Sequence, residues 1–502
     1  MIESEDQSEI IAFLGDPNTH GVDKVERIET HFAIIFLVGN SALKLKRAVK
    51  FPFLDFSTVE RRGDCCKREV DLNRRTAPTL YRDAVPITRG GNGDLSLGGS
   101  GEPIDWVVSM NRFEQSSLFD RMALDDALTP EMMIALADAI AAFHCDAEPM
   151  PAKGGAQAMR WVMEDNIEEM RTFPEIFESA AVTALAENSG PTFDRIADLL
   201  DRRRDDGFVR HCHGDLHLQN ICLLEDRPTL FDCIEFNDDI ACVDTLYDLA
   251  FLLMDLDHRD RHDDANLVLN RYLARTGDMR ALPALRFFLS CRAAVKAKVT
   301  AIAAKGNVGR IRDAQSFLQL ALDYLVPTSP RLIAIGGTPG TGKSTLAQGL
   351  APEIGAGCGA ILMRTDVLRK HMLGVDILER LPESAYDRET TQRTYDRVVK
   401  ETEAALDAGL SVIADATFTN AQFRKRIEAI AHARDLPFTG IWLDADFELR
   451  ERRIAARTND PSDATVDLIR RFRDEPDIPE AWHHLDAGQS LDRLIITAHE
   501  KF

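Results

Sequence analysis

Two short stretches of this 502-residue chain carry residue types at spacings that chemistry uses. In HGDLHLQN (213–220), Asp215 and Asn220 sit in a stretch too polar for a core, and Asp232 follows in LFDCIEF (230–236). Transfer of a phosphoryl group needs a carboxylate to orient the acceptor hydroxyl, ligands for magnesium and a cation on the ATP phosphates. Asp215 is placed to take the hydroxyl proton, with Asn220 and Asp232 as metal ligands. The cation comes from ALKLK (42–46), where Lys44 and Lys46 share one face of a strand. Either can pair with Glu69 of CKREVDLN (66–73), and Lys44 is the preferred partner. An exposed hairpin lysine and a solvated helix glutamate are the plain alternative.

The second stretch, GTPGTGKS (337–344), fits G-x-x-x-x-G-K-[ST] directly after the apolar RLIAI and before a helix. Backbone N–H groups of Gly337, Thr338, Pro339 (which lacks one), Gly340, Thr341, Gly342, Lys343, Ser344 and Thr345 mark a phosphate cradle. Lys343 then reaches the β and γ phosphates and Ser344 meets magnesium. SVIADATF (411–418) puts Asp415 at a strand end without the following glutamate usual in ATPase switches. Asp366 in LMRTDVLRK is instead placed as a base for an acceptor hydroxyl or as a helix cap, with Arg369 facing the acceptor. Arg453 and Arg457, one turn apart, either close over the phosphates as a lid or pair with Glu448 and Glu451.

Several other residues invite a chemical reading. His211, His213 and His217 with Cys212 match no standard zinc spacing, so His213 is read as orienting the loop. DTLYDLAFLLMDL (244–256) has core periodicity, with Asp248 available to brace that loop.

These residues need a scaffold. HFAIIFLVGNSALKLKRAVK (31–50) alternates around a Gly-Asn turn and predicts a hairpin; a helix follows at 57–75 and a strand at 106–110. Helical periodicity dominates 116–205 and 244–325, with short strands beside the Asp215 motif. VPTSP (326–330) breaks the last helix. Beyond it strands alternate with helices, which predicts a parallel sheet covered by helices. The expected domains are therefore 1–326, with a small lobe to about 110 and a helical lobe after it, and 331–502.

Composition narrows the classes. With 45% hydrophobic and 28% charged residues the chain reads as soluble and globular. Its net charge of −22 disfavours a nucleic-acid partner. The acidic N-terminus and the lack of a long apolar run point to a cytoplasmic protein with no membrane partner, and nine cysteines without a Cys-x-x-Cys pair read as reduced thiols.

HGDLHLQN followed by LFDCIEF resembles the catalytic motifs of the aminoglycoside phosphotransferase and choline kinase families. ETHFAIIFL, LKLKRAVKFPFLDFSTVERR and REVDLNRR resemble the N-terminal half of bacterial bifunctional aminoglycoside phosphotransferase/ATP-binding proteins, and the likeness spans nearly the whole chain. The second domain resembles the kinases that include gluconate kinases, chloramphenicol phosphotransferase and zeta-type toxins. The resemblance implies an α+β protein-kinase-like fold followed by an α/β P-loop NTPase fold, both using ATP and Mg2+. The glycine-rich loop of protein kinases is missing. Two functions stay open: a tandem kinase phosphorylating hydroxyl groups of a small molecule (sugar, aminoglycoside or nucleotide sugar), or one kinase regulated by a second nucleotide-binding domain.

Overall fold

The computed structural model describes residues 2–502 except 4, 52, 458–459, 467–468, 470–477 and 479. Its internal contacts form two compact units, Met1–Met159 with Asp201–Leu252, and Arg160–Leu200 with Leu253–Phe502.

The first unit contains a six-stranded antiparallel sheet in the order Val25–Glu29, Ala33–Val38, Ser41–Lys46, Glu102–Asn111, Tyr81–Arg89, Leu95–Leu97. Alternation along Ser41–Lys46 decides what each face carries. Leu43 and Leu45 join Ile34, Phe36 and Val107 in one core, against Ile10 and Leu14. Ala42 lies on the opposite face, packed with Cys66 and Val70 of the helix Val59–Asn73. The two lysines share that face, which sets both beside Glu69. Thr58 starts the helix by accepting the Arg61 N–H on its hydroxyl at 3.3 Å.

The same helix is tied to the sheet by a buried ion pair. Arg62 Nε donates to Asp105 Oδ1 at 2.7 Å and Arg62 Nη1 to the Phe56 carbonyl at 3.0 Å, with Gln7 Nε2 donating to Asp105 Oδ2 at 2.7 Å.

A tight hairpin, Ile221–Leu224 and Arg227–Leu230, turns through Glu225 and Asp226, both with positive φ, as a two-residue turn of the primed type requires. It returns the chain to the loop it left at Asn220. The strand ends two residues before Asp232.

In the second unit, five parallel strands lie in the order Ile361–Arg364, Val412–Asp415, Leu332–Gly337, Phe438–Asp444, His483–Asp486. Leu332–Gly337 is buried throughout, as a central parallel strand must be. Four of the strands follow the expected alternation. The fifth, HHLD, is short and polar and carries no strand signature of its own; pairing with Phe438–Asp444 makes it one. The helices His262–Thr276, Leu282–Ala304 and Val308–Asp323 also belong to this unit. Among the described residues, no helix is long and apolar enough to cross a membrane.

Arg62→Met is expected to cost about 3–5 kcal/mol, because it strands the Asp105 carboxylate in a dry interface. Urea unfolding of the full chain measures this, and an unchanged midpoint would refute it.

Candidate functional site

The Asp215 loop is held by its main chain. Asp248 Oδ1 accepts the Gly214 N–H at 2.8 Å, and Oδ2 accepts the His213 N–H and His144 Nε2, both at 3.1 Å. His213 Nε2 donates to the Phe231 carbonyl at 2.9 Å, and its Nδ1 accepts the Asp215 N–H at 3.4 Å. That pairing needs a neutral ring, and burial lowers the His213 pKa to favour one. The Phe231 N–H in turn donates to the Asn220 carbonyl at 3.0 Å. Phe231 is thus stitched to the loop on both its main-chain groups, and the next residue is Asp232. Among the described residues His211, His213 and His217 share no ligand cluster; His211 groups with Asp238 and Cys242, and Cys212 with His144 and Asp248.

Asn220 Nδ2 donates to the Asp215 carbonyl and to its Oδ2, both at 2.9 Å, which leaves Oδ1 as the amide's ligating atom. His217 Nε2 lies 3.3 Å from the same Asp215 oxygen. Asp232 takes a left-handed φ of 61° and donates its N–H to the Tyr81 hydroxyl at 3.1 Å. Lys44 Nζ donates to Glu69 Oε1 at 2.8 Å and also contacts Asp232 Oδ1. Lys46, which the motif reading set second to Lys44, is almost wholly buried, donates to Glu69 Oε2 at 2.5 Å and pairs with Glu235. Burial works to raise the Glu69 carboxyl, but Lys44 and Lys46 outweigh it and hold the pKa at about 2. Glu235 was not anticipated; its position three residues past Asp232 was the available signal. Oxygen donors from Asn220 and Asp232 are the hard ligands that Mg2+ prefers.

In the second unit, the glycine turn meets its own covering helix. Gly340 and Gly342 have φ of 87° and 95°, and a Cβ on Gly340 would lie 3.0 Å from Arg450. Lys343 Nζ donates to the Thr338 carbonyl at 3.1 Å, and Ser344 Oγ to Asp415 Oδ2 at 2.5 Å. Arg364 Nη2 reaches Ser344 Oγ at 3.2 Å and Asp460 at 3.4 Å. A cleft of about 1080 Å³ is lined by 339–345, Asp366, Arg380, Tyr386, Asp415 and Arg457. Gly337 and Thr338 stand behind this lining, where the Thr338 carbonyl receives Lys343 and its hydroxyl receives Arg450.

Asp366 sits at this cleft, where burial and then Asp415 raise its pKa against the pull of Arg364. Burial likewise lowers the Lys343 pKa. Arg453 lines the cleft, but both arms are engaged, Nη1 on the Thr341 carbonyl and Nη2 on the Ala487 carbonyl, each at 2.9 Å. Arg457 lies 4.0 Å from Asp460; the next residues, 458–459, fall outside the described part. Arg369 departs from expectation. It is buried, donates to the Ala385 carbonyl at 3.0 Å and stacks 4.5 Å over the Tyr386 ring, so it shapes the cleft wall and does not face an acceptor.

The fold and these two sites define a chain with two kinase-type domains, a phosphotransferase domain and a P-loop domain. The model of the phosphotransferase enzyme family matches residues 66–288, and that of the AAA domain matches 332–477. Uncharacterized protein Rv2004c of Mycobacterium tuberculosis is 30% identical over 485 residues, 94% of each chain. The chain belongs to this family, in which an aminoglycoside-phosphotransferase-like domain precedes a P-loop kinase domain. Among solved structures, choline kinase from Cryptosporidium parvum covers 64% of this chain and 95% of its own, at 11% identity and a TM-score of 0.40. A gluconokinase from Sinorhizobium meliloti covers 34% and 90%, at 16% identity and a TM-score of 0.25.

Because the folded state raises the Asp366 pKa, it binds the carboxyl proton more tightly than the unfolded chain does, and stability falls as pH rises through that range. Asp366→Asn is therefore expected to raise the thermal midpoint at pH 7, with the gain vanishing at pH values below the ordinary carboxylate range. A lower midpoint at pH 7 would contradict the raised pKa.

Proposed function

We propose that each domain transfers the terminal phosphoryl group of ATP to a hydroxyl of a small polar acceptor. One observation carries this reading: a single cleft presents the phosphate cradle 339–345 together with the Asp366 carboxylate and a polar wall at Arg380 and Tyr386. That cleft has room for a triphosphate and an acceptor side by side.

In the second site, the main chain from Gly340 to Ser344 and the Lys343 ammonium take the phosphates, while Ser344 and Asp415 hold Mg2+. Asp366 accepts the acceptor's proton. Its raised pKa suits this, since a base gains strength as its pKa approaches the working pH. Arg457, with the Asp460 segment beside it, neutralises charge as the bond to the leaving phosphate breaks.

In the first site, Lys44 takes the ATP phosphates while Glu69 holds it in place, Asn220 and Asp232 hold Mg2+, and Asp215 takes the hydroxyl proton. Mg2+ held by these residues would supply screening of the charge on the phosphate oxygens. The acceptor class is a sugar, an aminoglycoside or a nucleotide sugar, met in the cytoplasm.

Purified full chain with Mg-ATP, screened against these acceptor classes, tests the reading by acceptor-dependent ADP release. Asp215→Asn and Lys343→Ala are each expected to remove one component of turnover by about 10²–10⁴-fold, and the double variant to remove both. Full turnover in both single variants, for every acceptor, would reject two phosphotransferase sites. Loss confined to one variant would leave the other domain as a nucleotide-bound regulator.

A further inference from the structure

The strand Ile361–Arg364, which leads directly into Asp366, is an edge of the parallel sheet. Ile361 donates its N–H to the Ser411 carbonyl of the neighbouring strand at 2.9 Å, so, by the alternation along a parallel strand, the Ala360 carbonyl and the Leu362 main-chain groups turn outward. Outward groups on a covered edge need partners. The helix His262–Thr276 supplies them from side chains. Asn270 Nδ2 donates to the Ala360 carbonyl at 3.1 Å while its Oδ1 accepts the Leu362 N–H at 2.8 Å. One carboxamide thereby offers a donor and an acceptor in the order a neighbouring strand would. Asn266 Nδ2 adds bonds to the Cys358 carbonyl at 2.6 Å and the Ala360 carbonyl at 3.1 Å.

Close approach is built into the strand's entry. Gly359 has φ +76°, and a Cβ there would lie 2.8 Å from Asn266 Nδ2 and 2.4 Å from the Ala351 carbonyl. The helix also grips the far end of the Asp366 segment. His371, near the end of the helix Thr365–Leu373, donates Nε2 to the Ala274 carbonyl at 2.7 Å, and Arg275 pairs with Asp376 at 2.8 Å. Asn266, Asn270 and Ala274 recur at helical spacing, so one stripe makes these contacts.

We propose that the helix His262–Thr276, which lies within the residues matched to the phosphotransferase family, is the positioning element of the P-loop site: Asn270 clamps the strand ahead of Asp366, and Ala274 with Arg275 clamps the helix behind it. The clamp fixes Asp366 against the phosphate cradle without touching the nucleotide. The inference rests on the role given to Asp366 above only for its effect on turnover; the clamp itself is read from exchange.

Three measurements on the full chain test it, with Asn270→Leu removing both bonds and Asn270→Asp keeping the acceptor for the Leu362 N–H. In Asn270→Leu, amide hydrogen exchange across 360–369 is expected to rise about tenfold or more while 337–345 keeps its protection, as a local opening does. Affinity for ATPγS stays within about twofold, and the Lys343-dependent kcat falls about tenfold or more, the size of at least one of the two lost buried hydrogen bonds. Asn270→Asp falls between Asn270→Leu and the parent chain, and it carries the test if Asn270→Leu does not fold. Unchanged exchange at 360–369, a uniform rise over both segments, or a local rise with unchanged kcat would each overturn the proposal. If the parent chain shows no Lys343-dependent turnover, the function proposed for Asp366 fails alone, and exchange still decides: a rise confined to 360–369 supports the clamp, and none overturns it.

Discussion

A cation is costly to hold out of water without an anionic partner, and the structure around both sites answers that constraint. Lys46 is buried and Lys44 mostly so, and each is matched by two carboxylates, with Glu69 shared between them. Sharing keeps the Glu69 carboxylate ionised deep in the small lobe, and the sheet and helix that carry these groups must keep register for the pairs to exist. Lys343 is treated differently. Its ammonium donates to the Thr338 carbonyl of its own loop, and burial lowers its pKa.

The carboxylates are positioned through main chain more than through side-chain contacts. Asp248 fixes the His213 and Gly214 amides, His213 fixes Phe231, and Phe231 fixes Asn220. This relay places Asp215, Asn220 and Asp232 by bonds from the Asp248 and His213 side chains to main-chain groups, closed by one main-chain bond from Phe231 to Asn220. In the P-loop site a side chain does this linking: the Arg364 guanidinium reaches Ser344, Asp415 and Asp460 across three separate segments. The Asp366 strand is stiffened from outside, by asparagines standing in for the strand that the sheet edge lacks.

Legibility followed distance along the chain. The segments carrying Asp215, Asn220 and Asp232, and the run 337–345, were readable as motifs because their residue types lie close together in the chain. Strands with clear alternation or apolar runs were readable as well. His483–Asp486 was not, since its polar sequence becomes a strand only by pairing with its neighbour. Arg369 was misjudged because a helical turn fixes the direction of a side chain's root and leaves the end of a long guanidinium free to find the Ala385 carbonyl and the Tyr386 ring.

By itself, then, the sequence determined the two kinase-type domains, the two motif segments and the order of elements that carry them, because backbone geometry and short spacings are set by neighbours in the chain. Only the tertiary structure decided that Lys46 and Glu235 enlarge the lysine network, that Arg369 forms wall and not acceptor contact, and that Asn266 and Asn270 finish a sheet edge far ahead of them in the chain. Those outcomes depend on which desolvated groups must find partners once distant segments meet, and no local pattern records that requirement.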